Sequence, residues 1–72
     1  MATSPERHWF DVHAVDSKGN PSTYTVRKRG RTVYIHGLDG RRHLCHPSVV
    51  DVDGVKREIA IVFQARVTRI ET

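Results

Sequence analysis

The stretch VYIHGLDGRRHLCH, residues 33–46, gathers His36, His43 and Cys45, side chains whose types could hold a metal ion. Imidazole nitrogen and thiolate sulfur are both suitable zinc donors. If Asp39-Gly40 is a two-residue hairpin turn, His36 lies across from His43. Cys45 then follows two residues along the same strand, on the same face, and three donors could converge. A structural zinc site wants four, and the C-x-x-C spacing that makes zinc motifs specific is absent. His46 points to the other face. The expectation is therefore an ordinary hairpin with exposed histidines, no metal and no other cofactor, with His36, His43 and Cys45 as the residues to check.

Catalytic constellations are harder to find. The chain has no G-x-S-x-G elbow, no H-E-x-x-H helix and no Gly-rich phosphate loop. Asp51 and Asp53 flank a turn, where Asp serves local backbone hydrogen bonds. Trp9, Asp11 and His13 alternate onto one strand face, which reads as a solvated outer surface. So short a chain leaves little room for a pocket with supporting side chains behind it. The sequence does not read as an enzyme.

Anion binding has better support. The net charge is +4. Between Arg27 and His43, six cations (Arg27, Lys28, Arg29, Arg31, Arg41 and Arg42) stand against the single acid Asp39, so this segment carries +5 and the remainder −1. Any anionic partner should meet that segment. Lys and Arg also suit strand edges and turns for solubility, so the cluster is suggestive rather than specific.

The elements that position these residues are read from periodicity. Phe10, Val12 and Ala14 alternate with Trp9, Asp11 and His13; Tyr24 and Val26 with Thr23, Thr25 and Arg27; Val33 and Ile35 with Thr32, Tyr34 and His36. Turn chemistry separates the strands, at DSKGNP (16–21), Arg29-Gly30, Asp39-Gly40 and Asp53-Gly54. With Arg29-Gly30 as a two-residue turn, Lys28 faces Arg31, Val26 faces Val33 and Tyr24 faces Ile35. With Asp39-Gly40 as the next turn, Ile35 faces Leu44 and Tyr34 faces Cys45. The last segment alternates through Ile59, Ile61, Phe63, Ala65 and Val67. Its β-branched content and the lack of a good N-cap at Asp53-Gly54 favour a strand over a helix at about 57–70.

The expected fold is all-β: an antiparallel meander of five or six strands curled into a small barrel or half-barrel of SH3, Sm or OB size. A C-terminal helix is the alternative. Residues 1–6 read as a flexible tail and 7–72 as one domain. Phe10, Val12, Tyr24, Val26, Val33, Ile35, Leu44, Ile59, Ile61 and Phe63 are expected to form the core. A chain of 72 residues buries only about 60% of the surface its unfolded form exposes, and with one cysteine it has no internal disulfide. Neither a signal peptide nor a membrane span is visible, so a soluble cytoplasmic protein is expected.

The stretch IVFQARVTRI, residues 61–70, resembles the closing strand pair of Sm-like RNA-binding barrels: an apolar strand, a short polar bend and a second apolar strand. The Asn and Gly signatures of that family's earlier strands are missing. The resemblance implies a small barrel that binds RNA or assembles into a ring, and it transfers no binding residue.

The functional expectation is a non-enzymatic module that binds nucleic acid, single-stranded or RNA. Arg27, Lys28, Arg29, Arg31, Arg41 and Arg42 would contact phosphates, and Tyr34 would offer a stacking surface. The two basic hairpin ends lie on the order of 25–30 Å apart, so a shared footprint needs a ligand running along the strand. The alternative is a protein-interaction or assembly domain that uses an exposed strand edge or forms a homo-oligomer.

Overall fold

A computed structural model describes residues 5–37 and 40–72. Residues 1–4 of the expected tail and residues 38 and 39 of the expected Asp39-Gly40 turn lie outside them. Among the described residues the elements are β1 (Arg7–Val15), β2 (Pro21–Arg29), β3 (Thr32–His36), β4 (Arg42–Leu44), α1 (Val52–Val62) and β5 (Arg66–Glu71). The strands make one antiparallel sheet in the order β4-β3-β2-β1-β5. The first four follow one another as a meander, and α1 then carries the chain from the β4 edge to the β5 edge. The sheet is open and not closed into the barrel that the sequence suggests. No helix among the described residues is long and apolar enough to cross a membrane.

Alternation explains β1 to β3. Phe10, Val12 and Ala14 of β1, Tyr24 and Val26 of β2, and Val33 and Ile35 of β3 are all buried on one face. Loop chemistry sets the pairing. In the β1–β2 loop the Asp16 carboxylate accepts from the backbone N–H groups of Lys18 (2.9 Å) and Asn20 (2.8 Å), which closes the turn around Gly19.

The β2–β3 turn is Gly30-Arg31 rather than Arg29-Gly30, because Arg29 pairs with Thr32 and Val26 with Ile35. Gly30 sits at φ +61°, the left-handed conformation that a type II′ turn requires at its first central position. The partner strand thereby moves by two residues. Since side chains alternate with a period of two, every residue keeps its face.

The β3–β4 connection differs in a way that matters more. Tyr34 pairs with Leu44, Ile35 with His43 and His36 with Arg42, and the Gly37 N–H donates to the Arg41 carbonyl at 2.8 Å. Three residues therefore lie between Gly37 and Arg41, where a two-residue turn was expected, with Gly40 at φ +82°. A shift of one residue turns the whole strand over. Leu44 consequently leaves the core, at 59% exposure, and Cys45 enters it at 4%.

Residues 52–62 form a helix, against the strand expectation. Asp51 is its N-cap: the backbone there is extended and the carboxylate accepts from the Gly54 N–H at 2.8 Å. The Asp53-Gly54 pair lies in the first helical turn, where the negative charge of Asp53 suits the dipole. Val55 and Ile59, one turn apart, are fully buried against the sheet, while Ile61 is 73% exposed and Phe63 is only half-buried. Burial of each of the two is worth about 1.5–3 kcal/mol. Gln64, at φ +53°, then reverses the chain into β5. Residues 61–70 thus contain a helix end and one strand, which removes the strand pair that resembled Sm-like barrels.

Candidate functional site

The sheet has two unlike faces. One is covered by α1, and the other carries Asp11, His13, Thr23, Thr25, Arg27, Tyr34 and His36 with no helix or strand laid over it among the described residues. A bulge in β1 between His8 and Phe10 brings His8 onto the same side as Asp11, and His8 Nε2 donates to the Asp11 carboxylate at 3.0 Å. His13 Nε2 donates to Glu71 at 2.7 Å. That hydrogen bond, with the Arg69 guanidinium and the His13 charge beside it, holds the Glu71 carboxyl below its ordinary range.

The basic residues fall into separate positions. Arg27 stands directly across from Tyr34 on the open face, and the Arg42 guanidinium lies over the Tyr34 ring, 4.2 Å from its centroid. Glu6 reaches the same place. Its carboxylate accepts from Arg42 at 3.0 Å and from His36 at 3.2 Å, so the residue just ahead of β1 bends over the open face. Burial works to raise the Glu6 pKa, but the His36 hydrogen bond and Arg42 outweigh it and the net displacement is downward. Arg29 and Arg31 are exposed around the Gly30 turn. Lys28 has the parity of Tyr24 and Val26, away from Arg27, and its Nζ sits 4.4 Å from the Trp9 ring centroid. Arg41 lies at the other end of the sheet, lining a recess with Asp16, Tyr24 and Phe63. The six cations are therefore not one surface. Arg27, Arg42 and Tyr34 come together, Arg29 extends that group toward the turn, Arg31 lines a recess with Lys28, Val33 and Pro47, and Arg41 stands apart.

The donor set His36, His43 and Cys45 is split by the inverted register of β4. His36 stays on the open face with Glu6, whereas His43 and Cys45 turn toward α1. There they meet Glu58. His43 Nε2 donates to Glu58 Oε2 at 2.8 Å, and donor atoms of His43, Cys45 and Glu58 all lie within 4.8 Å of one another. The Phe63 ring stands edge-on to the His43 imidazole at 6.1 Å, and Tyr24 packs on Phe63 at 4.7 Å. Burial, reinforced by the neighbouring Glu58 charge, pushes the Cys45 thiol up to about 11. Glu58 carries no signal in the sequence as long as the segment reads as a strand, which gives it no place beside β4. Its helical spacing from Val55, three residues on and next to Ile59, is the signal that places it beside the sheet.

Compared with known proteins, the chain matches no family model, no curated protein sequence and no solved structure.

Proposed function

We propose that the protein is a non-enzymatic binding module that holds nucleic acid, single-stranded or RNA, against the open face of its sheet. The observation that carries this reading is Tyr34 set between Arg27 and Arg42 on a face that no helix or strand covers among the described residues. Guanidinium groups supply phosphate contacts and stacking planes, and an aromatic ring on a flat sheet gives bases a π-surface. Arg29, opposite Thr32, continues the basic track toward the adjoining turn. Thr23, Thr25 and Thr32 add neutral donors and acceptors beside it. Lys28 and Arg41 contribute less than the charge count suggests, because one is placed at Trp9 and the other at the far end of the sheet.

The test is a fluorescence anisotropy titration with mixed-sequence single-stranded RNA, single-stranded DNA and duplex DNA in low salt. Binding to a single strand that weakens steeply with salt supports the reading. No binding to any of the three at tens of micromolar protein overturns it. A protein-recognition role through a strand edge would then take its place.

A further inference from the structure

From the geometry where β4 meets α1, we infer that His43, Cys45 and Glu58 form a binding site for a divalent transition-metal ion of the zinc class. This inference is independent of the nucleic-acid reading, because the cluster lies on the helix-covered side of the sheet.

The donors have the right chemistry and nearly the right spacing. One imidazole nitrogen, one thiolate sulfur and one carboxylate oxygen form a mixed set that zinc accepts. Zinc–nitrogen and zinc–oxygen bonds of about 2.0–2.2 Å and a zinc–sulfur bond of about 2.3 Å put tetrahedral donors roughly 3.3–3.7 Å apart. The three groups already lie within 4.8 Å of one another. An ion entering between them draws Cys45 inward by on the order of 1 Å and slightly parts the 2.8 Å His43–Glu58 hydrogen bond. Three protein ligands leave a fourth position for water.

A plain His43–Glu58 hydrogen bond accounts for two of the groups, and β4 brings the thiol of Cys45, the single cysteine of the chain, from the core to the same point, with all three donor atoms within 4.8 Å of one another. A divalent cation placed among them favours the thiolate and the carboxylate at once. His43 and Glu58 are each about a quarter exposed, which gives an ion a way in. On binding, the Cys45 thiol gives up its proton to solvent, and His43 coordinates through a nitrogen lone pair while its proton sits on the other ring nitrogen. One proton leaves per ion, and no electron moves. The ion would also staple β4 to α1. That helix has only Val55 and Ile59 fully buried, in a chain without a disulfide.

The experiment uses the full chain stripped with chelator and titrated with cobalt(II), which reports thiolate ligation by a near-ultraviolet charge-transfer band. The expected result is a band that saturates at one equivalent and is lost when zinc is added. Cys45→Ser should abolish it. Because Cys45 is in the core, two further variants carry the test: Glu58→Gln and His43→Asn should each weaken cobalt affinity by about tenfold or more. His36→Asn, on the opposite face, should leave it unchanged. Absence of the band at one equivalent overturns the site, as does a band of unchanged affinity in both Glu58→Gln and His43→Asn.

Discussion

His43 of β4 and Glu58 of α1 are joined by a 2.8 Å hydrogen bond, which makes a polar latch between the edge of the sheet and the helix that covers it. Both side chains are partly exposed, so the pair is neither a free surface contact nor a buried ion pair. A double-mutant cycle with His43→Ala and Glu58→Ala, followed by urea unfolding in the presence of chelator, should give a coupling of about 1 kcal/mol. A value near zero would show that the latch adds nothing to stability.

Stability should fall on the acid side through Glu71 and Glu6. Both carboxyls have folded pKa values lowered from 4.5, so the unfolded chain takes up their protons first. Their contribution is fully present above about 4.5 and is lost as the pH drops through the folded values. Glu71→Gln should lower the neutral portion of a plot of unfolding midpoint against pH and flatten its acid limb, the two curves converging at low pH. An acid limb of undiminished steepness in that variant would remove Glu71 from the account.

The alkaline side should involve Cys45. Its folded pKa of about 11 stands above the ordinary 9.0, so the unfolded thiol ionises first. The contribution is present below pH 9 and disappears as the pH rises toward 11, by on the order of 2 kcal/mol in all. Other groups titrate in this range, so the measurement is a difference between the wild type and Cys45→Ala in metal-free buffer. The variant starts less stable and should lose less between these two pH values.

The first three strands were legible because parity survives an error of two residues. Displacing the β2–β3 turn from Arg29-Gly30 to Gly30-Arg31 leaves Tyr24, Val26, Val33 and Ile35 in the core. The β3–β4 loop has no such tolerance. Asp39-Gly40 signals a two-residue turn, yet one added loop residue exchanges Leu44 for Cys45 in the core and breaks up the His36–His43 pair. No local propensity distinguishes the two lengths; the longer loop puts His43 and Cys45 on the side of Glu58. The helix, the alternative reading at about 57–70, lies at Val52–Val62 and is obscured in the sequence for a different reason. Val52, Val55, Ile59 and Phe63 satisfy a helical stripe as well as the neighbouring residues satisfy an alternating one. The deciding mark was Asp51, a cap lying three residues before Gly54 rather than at the Asp53-Gly54 pair. Glu58, the third member of the metal cluster, became visible only with that helix.

The two ends of α1 should respond in opposite directions. Asp51→Ala removes the acceptor of the Gly54 N–H and should cost about 1 kcal/mol. Gln64 holds φ +53° at the position following the helix, where glycine adopts the left-handed conformation without strain. Gln64→Gly should therefore stabilise by roughly 0.5–1 kcal/mol after allowing for the greater freedom of glycine in the unfolded chain. Thermal and urea unfolding of both variants check the pair, and a destabilised Gln64→Gly would show that its side chain makes a contribution larger than the backbone strain.

On the open face, the Glu6 carboxylate accepts from Arg42 and His36, the donors that a phosphate bound there would need. If nucleic acid binds there, the carboxylate competes with it, and Glu6→Gln should bind a mixed-sequence single strand more tightly than the wild type. The released Arg42 gains a phosphate contact, so the magnitude of the log-affinity against log-salt slope should rise by about 0.7. Replacing Arg27 and Arg29 together by Gln should lower the same slope by about 1.4–1.8, according to whether the target is single- or double-stranded. Tyr34→Ala separates stacking from charge: it should cost about 1–3 kcal/mol of binding, and the loss should persist in high salt, where phosphate contacts are screened. A ligand held by diffuse charge alone would respond to the arginine changes and not to Tyr34→Ala. A ligand bound elsewhere would leave Glu6→Gln indistinguishable from the wild type.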